Sequence, residues 1–175
     1  MTLVINLIGP PSSGKSTTAA MLFSKLKLAG LNAELVTEYA KDKVWEESFH
    51  VFNNQMYIFA KQHHRLWRVY GKVDVIVTDS PLLLCLYYGA ARTSYTFKKL
   101  VLEKHNDMES LNFYIRRTKK YNPSGRMQSE QESNKIGADL INILNDNQIK
   151  YKIIDGDICA ADIIFDIIIG RFGVK

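Results

Sequence analysis

Gly9 to Ser16 reads GPPSSGKS and fills the spacing G-x-x-x-x-G-K-[ST] without a mismatch. Both glycines admit positive φ, so successive N–H groups can turn inward and form a nest for an anion. Lys15, directly after the second glycine, places a mobile cation over that nest. The Ser16 hydroxyl offers a hard oxygen to a Mg2+ that also binds phosphate oxygens. The chemistry implied is the holding of a nucleoside triphosphate, and Gly9, Pro10, Pro11, Ser12, Ser13, Gly14, Lys15, Ser16 and Thr17 are the expected binding residues.

Two acids and a basic cluster extend this chemistry. Glu38 lies in TEYA and Asp79 in TDSP, each directly beyond a run that reads as a strand. At that edge of a parallel sheet a carboxylate can take a proton from an attacking hydroxyl or orient it. The alternative for Glu38 is a surface glutamate that caps the next helix. Asp79 is placed to hold Mg2+ through water or to accept the acceptor's proton. Ser80 follows it where water-activating ATPases commonly carry a glutamate, which argues against motor-type hydrolysis. Arg116, Arg117, Lys119, Lys120 and Arg126 cluster with no acid among them, around the turn residues Asn122 to Gly125. A loop of this kind can close over a phosphate site, exclude water and set guanidinium groups on a transferring phosphoryl. Arg117 and Arg126 lead for that role, with Arg116 behind because strand alternation can turn it away. A solvated basic loop or contacts with a DNA backbone are the competing readings.

These residues need an alternating strand and helix framework. Leu3 to Ile8 reads as a buried strand, Ser16 to Leu28 as a helix and Asn32 to Thr37 as a second strand. Phe49 to Tyr70 has the spacing of one amphipathic helix, with Phe52, Met56, Phe59, Ala60, Leu66, Trp67 and Tyr70 as its apolar side. Trp45, Phe49, Phe52 and Gln55 near its start could line an acceptor pocket. Adjacent His63 and His64 do not share a helix face, which argues against a metal site there. Val73 to Thr78 reads as the third strand, Tyr95 to His105 as a helix and Ser110 to Arg116 as the fourth strand. Ser129 with Glu132 has capping-box spacing ahead of a stripe at Ile136, Leu140, Ile143 and Leu144. Tyr151 to Ile154 reads as the fifth strand, and Ala160 to about Phe172 as a final helix. The turn at Asp155, Gly156 and Asp157 falls at the ligand edge, where an adenine ring would commonly rest.

Length and composition set the limits. The chain of 175 residues has room for one α/β domain, with no segment that reads as a linker, so 1–175 is expected to be a single domain with a lid at about 117–128. Net charge is +5. Cys85 and Cys159 sit in apolar sequence surroundings without metal-like spacing and read as reduced core residues of a cytoplasmic protein, neither of them a nucleophile. The chain opens into a strand without a basic leader, and Asp166 breaks the run from Ile163 to Ile169, so neither secretion nor a membrane span is expected.

The order of loop, TEYA, TDSP, arginine-rich loop and DGD resembles the nucleoside and nucleotide kinase branch of phosphate-loop proteins over essentially the whole chain. More narrowly, GPPSSGKST, TEYA, VIVTDSP and RRTKKYNPSGRMQSEQE resemble the ribosylnicotinamide-kinase-like AAA-type group, which includes many bacteriophage proteins. Within it the sequence is most similar to the phage 5-hydroxymethyluracil DNA kinases, which phosphorylate a hydroxymethylated base in DNA. The resemblance implies a three-layer α/β P-loop NTPase fold with a five-stranded parallel sheet, helices on both faces and an arginine-rich lid. It further implies ATP and Mg2+ as cofactors, ATP phosphates on Gly9 to Ser16, metal on Ser16 and Asp79, and acid or base roles for Glu38 and Asp79. Arg117 and Arg126 would stabilise the phosphoryl group, and adenine would lie near Asp155 to Asp157. The implied setting is a phage-infected bacterial cytoplasm. Many nucleoside kinases carry an arginine directly after the acid at the third strand, whereas Ser80 and Pro81 stand here, so that role falls to the lid.

Three activities follow as expectations. The first is ATP-dependent phosphorylation of an alcohol, either 5-hydroxymethyluracil in DNA or a free nucleoside or nucleotide. The second is a DNA-stimulated ATPase with no alcohol acceptor. The third, a guanine-reading switch, is disfavoured because its only near match, NKIG at Asn134 to Gly137, lacks the aspartate.

Overall fold

A computed structural model describes residues 2–91, 93–124 and 128–173. Five parallel strands, β1 (Leu3–Ile8), β2 (Ala33–Val36), β3 (Val75–Thr78), β4 (Ser110–Arg116) and β5 (Lys152–Asp155), lie in the order β2-β3-β1-β4-β5. The chain leaves β1 toward the β2 edge and then crosses it to β4, so the carboxyl end of β1 is where the winding reverses. That places the Gly9 to Ser16 loop at the crevice such sheets form.

Both sheet faces are covered. Leu3, Ile5 and Leu7 of β1 pack with Leu22 and Leu26 of α1 (Lys15–Leu28) and with Ile164 and Ile168 of α7 (Ala160–Phe172). Val4 and Ile8 point the other way, toward α3 (Gln55–Trp67), α4 (Leu84–Tyr88), α5 (Tyr95–Asn106) and α6 (Glu130–Asp146). The strict alternation along β1 is what a strand buried on both faces requires. No helix of the described residues is long and apolar enough to cross a membrane.

Several expected elements are corrected. The single helix over Phe49 to Tyr70 is a 3-10 turn (Phe49–Asn53) followed by α3. The break is local chemistry: the Asn54 side chain accepts from the Tyr57 N–H at 3.0 Å, an N-cap that starts a new helix. The buried face changes with it. Gln55, Ile58, Phe59, Gln62 and Leu66 face inward, whereas Met56, Ala60 and Trp67 are exposed. Cys159 is exposed, because it sits at the turn leading into α7 before the buried Ala160 and Ala161, and only Cys85 is buried. A short helix, α4, follows TDSP where none is expected from sequence, and β5 starts one residue later than expected. The Ser129 and Glu132 capping box is present with both reciprocal bonds.

Candidate active site

The loop between β1 and α1 has the conformations its glycines permit: φ is 153° at Gly9 and 100° at Gly14, and Ser12 also lies at a positive φ of 64°. α1 starts at Lys15 with no side-chain cap and no acid in its first turn, so the positive end of its dipole faces the loop without a competing carboxylate. Lys15 Nζ donates to the Gly9 and Pro10 carbonyls, both at 2.9 Å, and so folds back across the loop. The loop is braced from outside. Ser133 Oγ of α6 donates to the Pro11 carbonyl at 2.8 Å, and the buried Tyr114 hydroxyl donates to the Gly137 carbonyl at 3.0 Å, which holds α6 against Pro10. Ser133 is a supporting residue that sequence reading missed; its position directly after the capping box, one turn on from Ser129, was the available signal.

Gly156 braces the loop from the β5 side. A Cβ there would fall 2.0 Å from the Ser13 carbonyl oxygen and 3.0 Å from that of Arg116. Both obstacles are backbone, so the clash has no cheap relief. Gly156→Ala should cost about 1–3 kcal/mol of stability through overpacking and loosen the nucleotide loop. Thermal unfolding with and without ATP checks this: the expected result is a lower Tm and a smaller ATP-induced rise than in the wild type.

A cavity of about 570 Å3 runs from the loop to the start of α3. Gly9, Pro11, Ser12, Ser13, Gly14, Lys15, Ser16 and Thr17 line one end, and Trp45, Phe52, Gln55, Ile58 and Tyr88 the other. Glu38 lies between them, half-buried, at the start of α2 (Tyr39–Trp45), with an extended backbone and no capping bond from its side chain. Glu38 thus occupies the N-cap position of α2 without using its carboxylate to cap it. Burial pushes its carboxyl above the ordinary value, and Asp79 adds to the rise, while the Lys15 ammonium pulls it down. The neighbouring Cys85 thiol is pushed up to about 12, first by burial and then by Glu38, which leaves it protonated and unreactive near neutral pH. The Tyr88 hydroxyl is raised by the same two causes. Of the expected pocket residues, Trp45, Phe52 and Gln55 line this cavity and Phe49 stands outside its lining.

Asp79 is 4% exposed directly after β3 and does not line the cavity, although Ser80 does, and its Oδ1 is buried with no hydrogen-bond partner among the described residues. Ser13 Oγ is in the same condition. No group of three or more His, Cys, Asp or Glu side chains suited to a metal occurs among the described residues. A buried carboxylate oxygen without a partner among the described residues, and a serine hydroxyl at the start of α1, are the kind of hard oxygen donors that suit Mg2+, which is commonly held by one or two protein oxygens together with substrate phosphates and water.

The basic loop is divided. Arg117 lies on α6, where it pairs with Glu130 at 3.3 Å, donates to Asn134 Oδ1 and covers the Tyr121 ring; it does not line the cavity. Its Nη1 is buried without a partner among the described residues. Arg126 lies outside the described residues. The loop touches the nucleotide site through the Asn122 N–H, which donates to Ser12 Oγ at 3.0 Å. Arg116 forms a two-bond pair with Asp155 across β4 and β5, and this holds the Asp155 carboxyl below its usual range. Asp157 accepts from the Cys159 N–H at the start of α7. The Asp155 to Asp157 turn therefore supports the loop from beneath, and none of the three residues lines the cavity.

The family model AAA_28, described as an AAA domain, matches residues 4–160. The chain belongs to this family. Its match runs from β1 to the first residue of α7 and so takes in the loop, Glu38, Asp79 and the basic segment. Among solved structures, "NadR protein in complex with NR" is similar, with a TM-score of 0.76 and 19% identity over 99% of this chain and 52% of that one. This AAA-family chain spans about half the length of that NadR chain, and the likeness is one of fold. No curated protein matches the sequence. The architecture is thus an α/β P-loop NTPase fold, a five-stranded parallel sheet with helices on both faces.

Proposed function

We infer that the protein is an ATP- and Mg2+-dependent phosphotransferase that moves the γ-phosphoryl group of ATP to a hydroxyl on a nucleoside-class acceptor. The observation that carries this reading is that Lys15, Glu38 and an aromatic chamber line one continuous cavity, so donor and acceptor can meet there. A hydrolase needs no such chamber, and Ser80 stands where a water-activating glutamate would be expected.

In this reading Glu38 accepts the proton as the acceptor oxygen bonds to the γ-phosphorus, while the bond to the bridging oxygen breaks and ADP leaves. Lys15 leaves the Gly9 and Pro10 carbonyls to neutralise the phosphate oxygens. Ser16, with Asp79 through water, would hold Mg2+, whose charge neutralises the β and γ oxygens. Arg117 and Arg126 are the proposed lid cations, and for this Arg117 must leave Glu130 and Asn134. Adenine is proposed to lie on the β5 side of the loop, near Asp157.

For the acceptor itself, 5-hydroxymethyluracil within DNA is the finer proposal. Trp45 and Lys41 line the cavity, Phe49 and Tyr57 are exposed on the 3-10 turn and α3, and Lys61 stands over the Tyr57 ring at 5.3 Å; a base drawn out of a strand needs aromatic faces within cationic surroundings. The sequence resemblance to the DNA kinases supports it further. The test uses γ-labelled ATP with DNA containing 5-hydroxymethyluracil, ordinary DNA, and free nucleosides and nucleotides. Label in the modified DNA, weakening steeply with added salt, is expected. Label only in a free nucleoside or nucleotide would overturn the DNA acceptor and keep the kinase; phosphate release with no labelled acceptor would overturn the kinase.

A further inference from the structure

Gln62 is an amide buried in the middle of α3, only 3% exposed, on a face otherwise built from Gln55, Ile58, Phe59 and Leu66. Its two ends are spent on one short piece of backbone. Oε1 accepts from the Tyr39 N–H at 2.9 Å, and Nε2 donates to the Thr37 carbonyl at 3.3 Å. Tyr39 opens α2, so its N–H has no acceptor within the helix; Thr37 lies just past β2. The residue between these two bonds is Glu38. Arg65, one turn further along α3, donates to the Thr37 carbonyl at 3.2 Å and pairs with Asp42 of α2.

We propose that Gln62 is a positioning residue that clamps the backbone on both sides of Glu38 and thereby aims its carboxylate into the cavity toward Lys15. Glu38 makes no capping bond, so its side chain does not anchor itself, and the turn that carries it depends on neighbours. The clamp comes from a rigid helix that also lines the cavity, since Gln55, Ile58 and Gln62 all reach it. An error of about 1 Å in a reacting group costs on the order of 100-fold in rate, which makes such a clamp consequential. This proposal rests on the kinase reading for its rate effect, though not for its geometry.

Gln62→Met keeps the length of the side chain and removes both bonds; Gln62→Glu keeps the acceptor for Tyr39 and is the fallback if the first variant folds poorly. For Gln62→Met the expected result is a kcat lowered about 10- to 100-fold with the KM for ATP within about 2-fold. Gln62→Glu should lose less. A second readout needs no turnover: the 13C carboxyl resonance of Glu38, assigned by its absence in Glu38→Gln, should move toward that of an exposed glutamate in Gln62→Met. A moved resonance in a protein that phosphorylates no acceptor would refute the kinase reading and retain the clamp. An unmoved resonance with wild-type kcat would overturn the clamp, even if Tm fell.

Discussion

Glu38→Gln should lower kcat by about 10²- to 10⁴-fold, the range for removing a general base, and leave the KM for ATP nearly unchanged. The wild-type kcat should rise with pH through a midpoint above that of an ordinary glutamate, because burial raises the Glu38 carboxyl and the ionised form is the one that accepts the proton. The variant should lack that limb. Stability should change in the opposite direction. A carboxyl raised in the folded state holds its proton more tightly there than in the unfolded chain, so folded stability falls as pH climbs from the unfolded value to the folded one. Above that window the cost of burying the charge is constant. Gln carries no such charge, and Glu38→Gln should therefore melt higher than the wild type at neutral pH, with the gain vanishing below the unfolded value. Paired pH profiles of kcat and of Tm check both halves. An inactive variant with an unchanged Tm difference across pH would mean that Glu38 acts through structure and not through its charge.

Lys15→Met should reduce transfer by about 10³-fold or more, the scale of losing a charge-stabilising donor in a water-poor site. Methionine nearly keeps the length and removes the ammonium. The loop should survive, because the bonds from Ser133 Oγ to Pro11 and from Thr18 N–H to Gly14 do not involve the lysine side chain. The measurement is single-turnover transfer alongside circular dichroism and nucleotide titration. A native spectrum, weakened ATP binding and collapsed transfer are expected. Wild-type transfer would remove Lys15 from phosphoryl stabilisation.

The loop was legible because its signal is contiguous: Gly9 to Ser16 specify their own backbone, and a strand before and a helix after are enough to place them in what we propose is the donor half of the site. Glu38 was reachable through topology, since a residue just past a parallel strand must lie at the carboxyl edge. The acceptor half was only partly legible, and the reason is physical. Apolar periodicity over Phe49 to Tyr70 points to Met56, Ala60 and Trp67, whereas the buried positions include Gln55 and Gln62, whose burial is stabilised by backbone partners distant in sequence. A count of apolar residues cannot see such partners. The Asn54 cap was visible in principle, as an asparagine ahead of a helical run, and would have corrected the register. The basic cluster gave the charge but not its division: Arg116 is spent on Asp155, and Arg117 rests on α6. Those pairings depend on β5 and α6 arriving beside β4, which local sequence does not state.

The central claim is that loop and chamber form one phosphotransfer site. A 31P NMR time course with ATP, Mg2+ and the acceptor identified by labelling tests it most directly. The account predicts one new phosphomonoester per ADP formed, with little inorganic phosphate. ADP matched by inorganic phosphate, with no phosphomonoester, would contradict it.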